Sequence, residues 1–118
     1  MTQVQANRLK LLEAIEGASL IISSENVRIH PVMLKVSDSM IQVHALSDSG
    51  VADLEIDVMM EGEPIDVAFN PRYFIETLKA IDDEEVSIHF TTSVSQCVIR
   101  PLNNDSYTYL ILPVKVRV

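Results

Sequence analysis

Residues 65–81, IDVAFNPRYFIETLKAI, decide the fold, because a strand pattern there passes directly into a helix pattern. Residues 65–69 predict a strand, and Pro71 is well placed at the first position of a helix that is predicted to run to Ile81. The apolar stripe of this helix consists of Phe74, Ile75, Leu78 and Ile81. The acidic residues 82–85 end it. The stretch thus predicts a short amphipathic helix directly after a strand.

The same order of elements occurs earlier in the chain. A short strand is predicted over residues 2–4, and Asn7 can cap a helix over residues 8–21 with apolar residues at three- and four-residue spacing. Gly17 within that helix costs about 1 kcal/mol relative to Ala, so we expect a tight packing contact there. Strands are predicted over residues 27–36, 40–46 and 51–60 after the first helix and over 86–91, 96–101 and 107–114 after the second. The chain is therefore predicted to hold two βαβββ repeats, over about residues 1–61 and 64–118.

Neither repeat is long enough to bury a helix stripe and a sheet face alone, so the two are expected to pack around a shared core. The predicted fold class is α+β, with both helices on one side of antiparallel sheets, in a single domain over residues 1–118. The chain has 118 residues, 47% of them hydrophobic, which is enough for one compact domain and too little for two independent ones.

The net charge is −8, from nine Lys and Arg against 17 Asp and Glu. Spread evenly, that charge would repel a phosphate backbone, although a local basic lining could still face DNA. No stretch approaches the roughly 18 apolar residues that span a bilayer, and Lys10, Glu13 and Glu16 interrupt any apolar leader. We therefore expect a cytoplasmic location and no membrane partner. The lone Cys97 excludes an internal disulfide.

Six short segments stand in order along the chain. They are NR (7–8), LLEAI (11–15) and ASL (18–20) in the first repeat and FNPRY (69–73), TSVS (92–95) and YLILPVK (109–115) in the second. In this order and spacing they resemble the C-terminal domain of the bacterial DNA polymerase III beta subunits, the sliding clamps. The resemblance covers nearly the whole chain. It depends on the order of the segments and on the doubled plan, because no single segment is diagnostic.

Members of this family have three such domains per subunit and close a head-to-tail homodimer ring around duplex DNA. The resemblance implies a non-catalytic role in DNA replication: a ring that encircles the duplex without sequence preference and confers processivity on the replicative polymerase. A closed ring needs no reacting group, since it cannot leave the duplex without opening and can still slide. With one such domain, the chain is expected to be an excised domain or a fragment of a complete subunit.

The resemblance also implies that both helices face the central hole of the ring, where weak attraction to phosphates suffices. The residues expected to face DNA are Arg8, Lys10, Arg72 and Lys79. Glu13, Glu16 and Glu76 lie on the same predicted helices. A solvated face of mixed charge is therefore the alternative for each of the basic residues.

Two protein-binding surfaces follow from the resemblance. The family binds short peptides of polymerases and clamp loaders in an apolar groove that this domain shares with the preceding one. The expected contributors are Asn70, Tyr73, Val94, Gln96, Leu110, Leu112, Pro113, Val114 and Lys115. A ring-closing interface is expected at Leu20 and Ile21, just past the first helix. The alternatives are burial of Leu20 and Ile21 in the core and an ordinary buried strand over residues 110–112, in which at least Ile111 points inward.

The residue pattern gives little support for a metal site or for catalysis. His30, His44 and His89 fall on three different predicted strands, and none has ligand spacing to another or to Cys97, so no metal and no cofactor are expected. The alternating carboxylates of residues 51–60 share a strand face without an evident apolar pocket that would raise a pKa. A small carboxylate-dependent hydrolase is therefore disfavoured. A freestanding protein-binding module of clamp-like fold is the main alternative.

Overall fold

The computed structural model describes residues 2–22, 31–47, 50–92, 95–102 and 108–114. Over these residues the chain forms nine strands and two helices. The elements before residue 58 are β1 (Thr2–Asn7), α1 (Arg8–Ile22), β2 (Val32–Ser37), β3 (Met40–Ser47) and β4 (Gly50–Asp57). Those after it are β5 (Met59–Gly62), β6 (Ile65–Phe69), α2 (Pro71–Ala80), β7 (Glu85–Phe90), β8 (Cys97–Pro101) and β9 (Tyr109–Ile111).

The strands form two antiparallel sheets, one with the order β5-β1-β7-β8-β9 and the other with the order β4-β3-β2-β6. β1 lies against β7, with Val4 opposite Ile88, and β6 lies against β2, with Val67 opposite Leu34. The strand before each helix is thus paired with a strand from the other half of the chain. Because each half contributes one strand to the sheet of the other, the two halves cannot separate without breaking both sheets. The predicted α+β class, with two helices and antiparallel sheets, is confirmed.

Aromatic contacts join α2 to the four-stranded sheet and that sheet to the five-stranded one. The rings of Phe69 on β6 and Phe74 on α2 meet edge to face, with centroids 4.9 Å apart and planes at 71°. Phe69 also lies 6.4 Å from Phe90 of β7, which belongs to the other sheet. All three rings are buried, so this cluster fixes the side of α2 that faces the core.

Helix α1 begins and packs as the sequence predicts. The backbone N–H of Lys10 donates to Asn7 Oδ1 at 3.0 Å, so Asn7 is the cap. α1 packs against β3, β4 and α2. A Cβ added at Gly17 would lie 3.1 Å from Leu54 Cδ1 of β4. The expected tight contact at Gly17 is therefore confirmed.

The prediction of a single strand over residues 51–60 is wrong, because two strands lie there. β4 ends at Asp57 in the four-stranded sheet, and β5 begins at Met59 in the five-stranded sheet, where it pairs with β1. At the crossing, the N–H of Val58 donates to Ser39 O at 2.9 Å. The alternation of apolar residues continues through the crossing. A two-residue period of this kind does not specify which neighbouring strand a segment pairs with. Gly62, expected to lie outside strands, ends β5 with φ at 102°, which favours glycine.

Several element bounds also differ from the prediction. β1 extends to Asn7, α2 ends at Ala80, and β9 ends at Ile111 instead of continuing to residue 114. β2 begins at Val32, and residues 27–30 of that predicted strand lie outside the described ranges. In the part of the chain that the structure describes, neither helix combines the length and the hydropathy needed to cross a bilayer.

Candidate functional site

An open hollow lies on the surface between α2 and β9, and we call it the α2–β9 hollow. It is lined by Tyr73, Glu76, Thr77, Leu110, Ile111 and Leu112. It contains about 670 Å³ of empty space, part of it open to solvent. Tyr73 and Leu110 are each 57% exposed, and Leu112 is 71% exposed. Large apolar side chains left this accessible beside a concave surface are typical of a binding site.

The α2 side of the hollow is fixed by the way the helix begins. Asn70 has an extended backbone, with φ −71° and ψ 117°, and its Oδ1 accepts a hydrogen bond from Arg72 N at 3.0 Å. Pro71 follows at the start of the helix. A proline is favourable there because the N–H that it lacks would have no acceptor within the helix. The buried residues of α2 are Pro71, Phe74 and Leu78. The three α2 residues that line the hollow follow a three- and four-residue spacing and so share another face.

The β9 side of the hollow follows from strand alternation. Ile111 is buried, as predicted, while its neighbours Leu110 and Leu112 are exposed toward solvent. After β9 the chain is held by a backbone hydrogen bond in which Val114 N donates to Ala68 O at 2.8 Å. The exposed leucines are therefore presented by backbone that is tied to both β8 and β6.

The residues predicted for a peptide groove are brought together only in part. Tyr73, Leu110 and Leu112 line the hollow. Asn70 acts as the helix cap beside it. The described residues that were predicted but do not line it are Asn70, Gln96, Pro113 and Val114. The groove assignment of these residues stays a prediction.

Sequence reasoning missed Glu76 and Thr77 in the lining. Their spacing from Tyr73, three and four residues along a helix, was the signal that could have found them. Glu76 brings a carboxylate to the rim, and its Oε1 lies 3.4 Å from Arg72 Nε. Both side chains are mostly exposed, so this pair contributes at most about 0.5 kcal/mol to stability.

The basic residues expected to face DNA have unlike surroundings. Arg8 donates from Nε to Asp83 O at 2.8 Å and from Nη1 to Leu78 O at 2.9 Å. Its guanidinium is therefore engaged with backbone carbonyls. By contrast, Lys10 is exposed, and its ammonium group has no ion-pair partner among the described residues.

The two basic residues of α2 sit in surface ion pairs. Lys79 Nζ lies 3.5 Å from Glu16 Oε2 on α1, and Arg72 pairs with Glu76 one turn along its own helix. The mixed acidic and basic face predicted as the alternative is thus present. Exposed pairs of this kind are weak and open readily to a stronger partner such as a phosphate.

A histidine and a carboxylate that the sequence analysis kept apart lie opposite each other on β3 and β4. His44 Nδ1 is 2.6 Å from Asp53 Oδ1, and Gln42 Nε2 donates to the same oxygen at 3.2 Å. The hydrogen bond with His44 lowers the pKa of Asp53 from 3.8. Pairing across the hairpin was the missed signal, since Ser47 opposite Gly50 sets this register. Within the described residues, no three His, Cys, Asp or Glu side chains come together as metal ligands.

Cys97 is fully buried at the start of β8. Burial raises the pKa of its thiol to about 12. A thiol held neutral in this way is a poor nucleophile and a poor metal ligand. Cys97 therefore serves the core and not the surface chemistry of the domain.

Some predicted residues fall where the structure gives no side-chain description. Val94 and Lys115 of the predicted groove and His30 lie outside the described residues. Leu20 and Ile21, predicted for ring closure, belong to the last turns of α1, and their side chains are likewise outside the description. Their roles stay predictions.

Comparison with known proteins assigns the family. The family model of the DNA polymerase III beta subunit, C-terminal domain, matches residues 1–115. The beta sliding clamp of Synechococcus elongatus is 28% identical over 114 residues, which are 97% of this chain and 30% of that relative. The beta sliding clamp of Staphylococcus aureus (strain Mu50) is 31% identical over 104 residues, which are 86% of this chain and 27% of that relative.

The fold agrees with solved structures of the same kind. The crystal structure of the DNA polymerase III beta subunit from Thermotoga maritima matches with a TM-score of 0.91 at 30% identity, over 98% of this chain and 31% of that chain. This chain thus spans about three tenths of the length of these relatives. The predicted resemblance is confirmed. The chain belongs to the family of C-terminal domains of DNA polymerase III beta subunits.

Proposed function

We propose that this chain is the C-terminal domain of a sliding-clamp subunit and that the α2–β9 hollow is its part of a groove for short peptides of polymerases and of the clamp loader. Family membership over residues 1–115 supports the first statement. The observation that carries the second is the group of exposed apolar side chains around the hollow, Tyr73, Leu110 and Leu112.

The hollow suits an extended peptide with apolar anchors. A leucine or phenylalanine side chain that is fully buried there contributes roughly 1.5 to 3 kcal/mol. α2 packs on the core and β9 pairs with β8, so little backbone has to be ordered when the peptide binds. Because the complete groove is shared with the preceding domain, affinity is higher in the complete subunit than in this domain alone.

The larger function is topological. Three such domains per subunit, in a head-to-tail homodimer, form a cytoplasmic ring that encircles duplex DNA without sequence preference and gives the polymerase processivity. The whole 118-residue chain is one domain of that subunit, built from two repeats over about residues 1–61 and 64–118 in which a helix follows one strand and precedes several others, and it performs no chemical step. Leu20 and Ile21 at the end of α1 contribute to ring closure.

Weak contacts with the duplex come from the basic residues of the two helices. Lys10, Arg72 and Lys79 are all exposed. The chain as a whole has a net charge of −8. A few cations at the hole and an acidic remainder give attraction that is local and that salt screens readily, as sliding requires.

The groove is tested by Leu112→Asp in the complete subunit, with Met59→Asp as the matched control. Leu112 and Met59 are both 71% exposed, and Met59 lies on β5, away from the hollow. Binding of a labelled polymerase peptide with Leu and Phe anchors is measured by fluorescence anisotropy. We expect Leu112→Asp to raise Kd by about tenfold or more, since one anchor contact is lost. Equal affinities for wild type and Leu112→Asp, or equal losses in both variants, would refute the groove.

The DNA contact is tested in the assembled ring by the double substitution Arg72→Gln and Lys79→Gln. Each phosphate contact removed should reduce the slope of log K against log salt by about 1. Lys35→Gln, an exposed residue on β2, is the control and should leave the slope unchanged. An unchanged slope in the double variant would remove these residues from the DNA-facing surface.

A further inference from the structure

Arg8, the first residue of α1, donates three hydrogen bonds to the last turn of α2 and to the segment that follows it. Its backbone N–H donates to Glu84 O at 2.8 Å. Its guanidinium donates from Nε to Asp83 O at 2.8 Å and from Nη1 to Leu78 O at 2.9 Å. One residue thus contacts three carbonyls, one in the last turn of α2 and two in the segment that leads into β7.

The end of α2 needs such a partner. The last four carbonyls of an α-helix accept no hydrogen bond from within the helix, and they carry partial negative charge. The residue that follows α2, Ile81, has an extended backbone with φ −90° and ψ 133°, so no left-handed glycine closes the helix. Lys79 is the basic residue of the last turn, but its ammonium group lies beside Glu16. Arg8 therefore supplies a cation at this end and a donor to one of its carbonyls, that of Leu78.

Guanidinium geometry matters here as much as charge. Arg8 reaches two carbonyls at once, five residues apart in the sequence, through two different nitrogens. A planar fork can do this, whereas a lysine ammonium is a single point charge. Leu78, which accepts one of the bonds, directly follows Thr77, and Thr77 lines the α2–β9 hollow.

We infer that Arg8 is a positioning residue whose guanidinium caps the C-terminal end of α2 and so holds the α2 side of the hollow in place, instead of contacting phosphates. The capping role depends only on the contacts within this chain. Its consequence for peptide affinity rests on the function proposed above.

The test compares Arg8→Lys, Arg8→Ala and Lys10→Ala in the full 118-residue chain, without peptide or DNA. Hydrogen exchange of the backbone amides in the last turn of α2 is the measurement. Loss of charge-assisted hydrogen bonds should make these amides exchange at least about tenfold faster in both Arg8 variants. Lys10→Ala, two residues along the same helix, should match wild type. Wild-type exchange in Arg8→Lys would overturn the inference, because charge alone would then suffice.

A second measurement on the wild-type chain holds even if an Arg8 variant fails to fold. By NMR, the Nε–H of Arg8 should exchange with solvent at least about tenfold more slowly than the Nε–H of the exposed Arg100. Equal rates would overturn the capping role. Neither measurement uses the peptide, so failure here leaves the proposed groove intact, and failure of the Leu112→Asp experiment leaves the capping role intact.

Discussion

The two helices begin in the same way but differ in how their sides are buried. Each starts directly after a strand with an asparagine cap, Asn7 for α1 and Asn70 for α2. α1 has 15 residues, and over residues 8–19, whose burial is described, it buries Leu11, Leu12, Ala14, Ile15 and Ala18. α2 has 10 residues, buries Pro71, Phe74 and Leu78, and leaves Tyr73 57% exposed. The difference teaches that one local signal can start either a core helix or a helix with one side available to a ligand.

The largest difference in stability between the two helices is expected when one isoleucine is removed from each. Ile15 on α1 is 1% exposed, whereas Ile75 on α2 is only partly buried. Ile15→Ala should cost about 2 to 5 kcal/mol of unfolding free energy, because it leaves a cavity in the core. Ile75→Ala should cost about 1 kcal/mol. Urea denaturation of both variants measures the difference, and equal losses would contradict the division between the helices.

The caps offer a smaller and more selective comparison. Asn7→Ala and Asn70→Ala should each cost about 1 kcal/mol, since each removes one side-chain acceptor from a helix start. Of the two, only Asn70→Ala is expected to weaken peptide binding, because α2 and not α1 lines the hollow. Thermal unfolding and anisotropy titration measure the two effects. Asn70→Ser, which keeps a capping oxygen, should restore both; a variant that restored neither would show that Asn70 acts in another way.

The smallest expected effect concerns the close contact beneath α1. Gly17→Ala gains up to about 1 kcal/mol of helix propensity, but the new Cβ would lie 3.1 Å from Leu54 Cδ1. In wild type the gain should be well below that value, and in a Leu54→Ala background it should be nearly complete. A double-mutant cycle by urea denaturation measures the coupling. Equal gains in both backgrounds would mean that the Leu54 side chain moves away from the new Cβ at no cost in free energy.

Much of the fold could be predicted because its signals are local. Pro71 after Asn70 marks the start of α2, and strand alternation is enough to assign Ile111 to the core. The split at Val58 could not be predicted, since both strands beside it carry the same period. For the same reason, the pair of His44 with Asp53 was missed: it depends on which strands are neighbours.

The sequence by itself determined the two helices and the Asn7 cap, most of the strands, the buried faces and the family, because these depend on residue type and on spacing along the chain. Tertiary structure alone decided that β1 and β6 exchange sheets and that Tyr73 meets Leu110 and Leu112 around one hollow. It also decided that the Arg8 guanidinium donates to Leu78 O in the last turn of α2 and to Asp83 O beyond it. These contacts join residues distant in sequence, and their partners are chosen by the packing of the whole chain, which no local pattern contains.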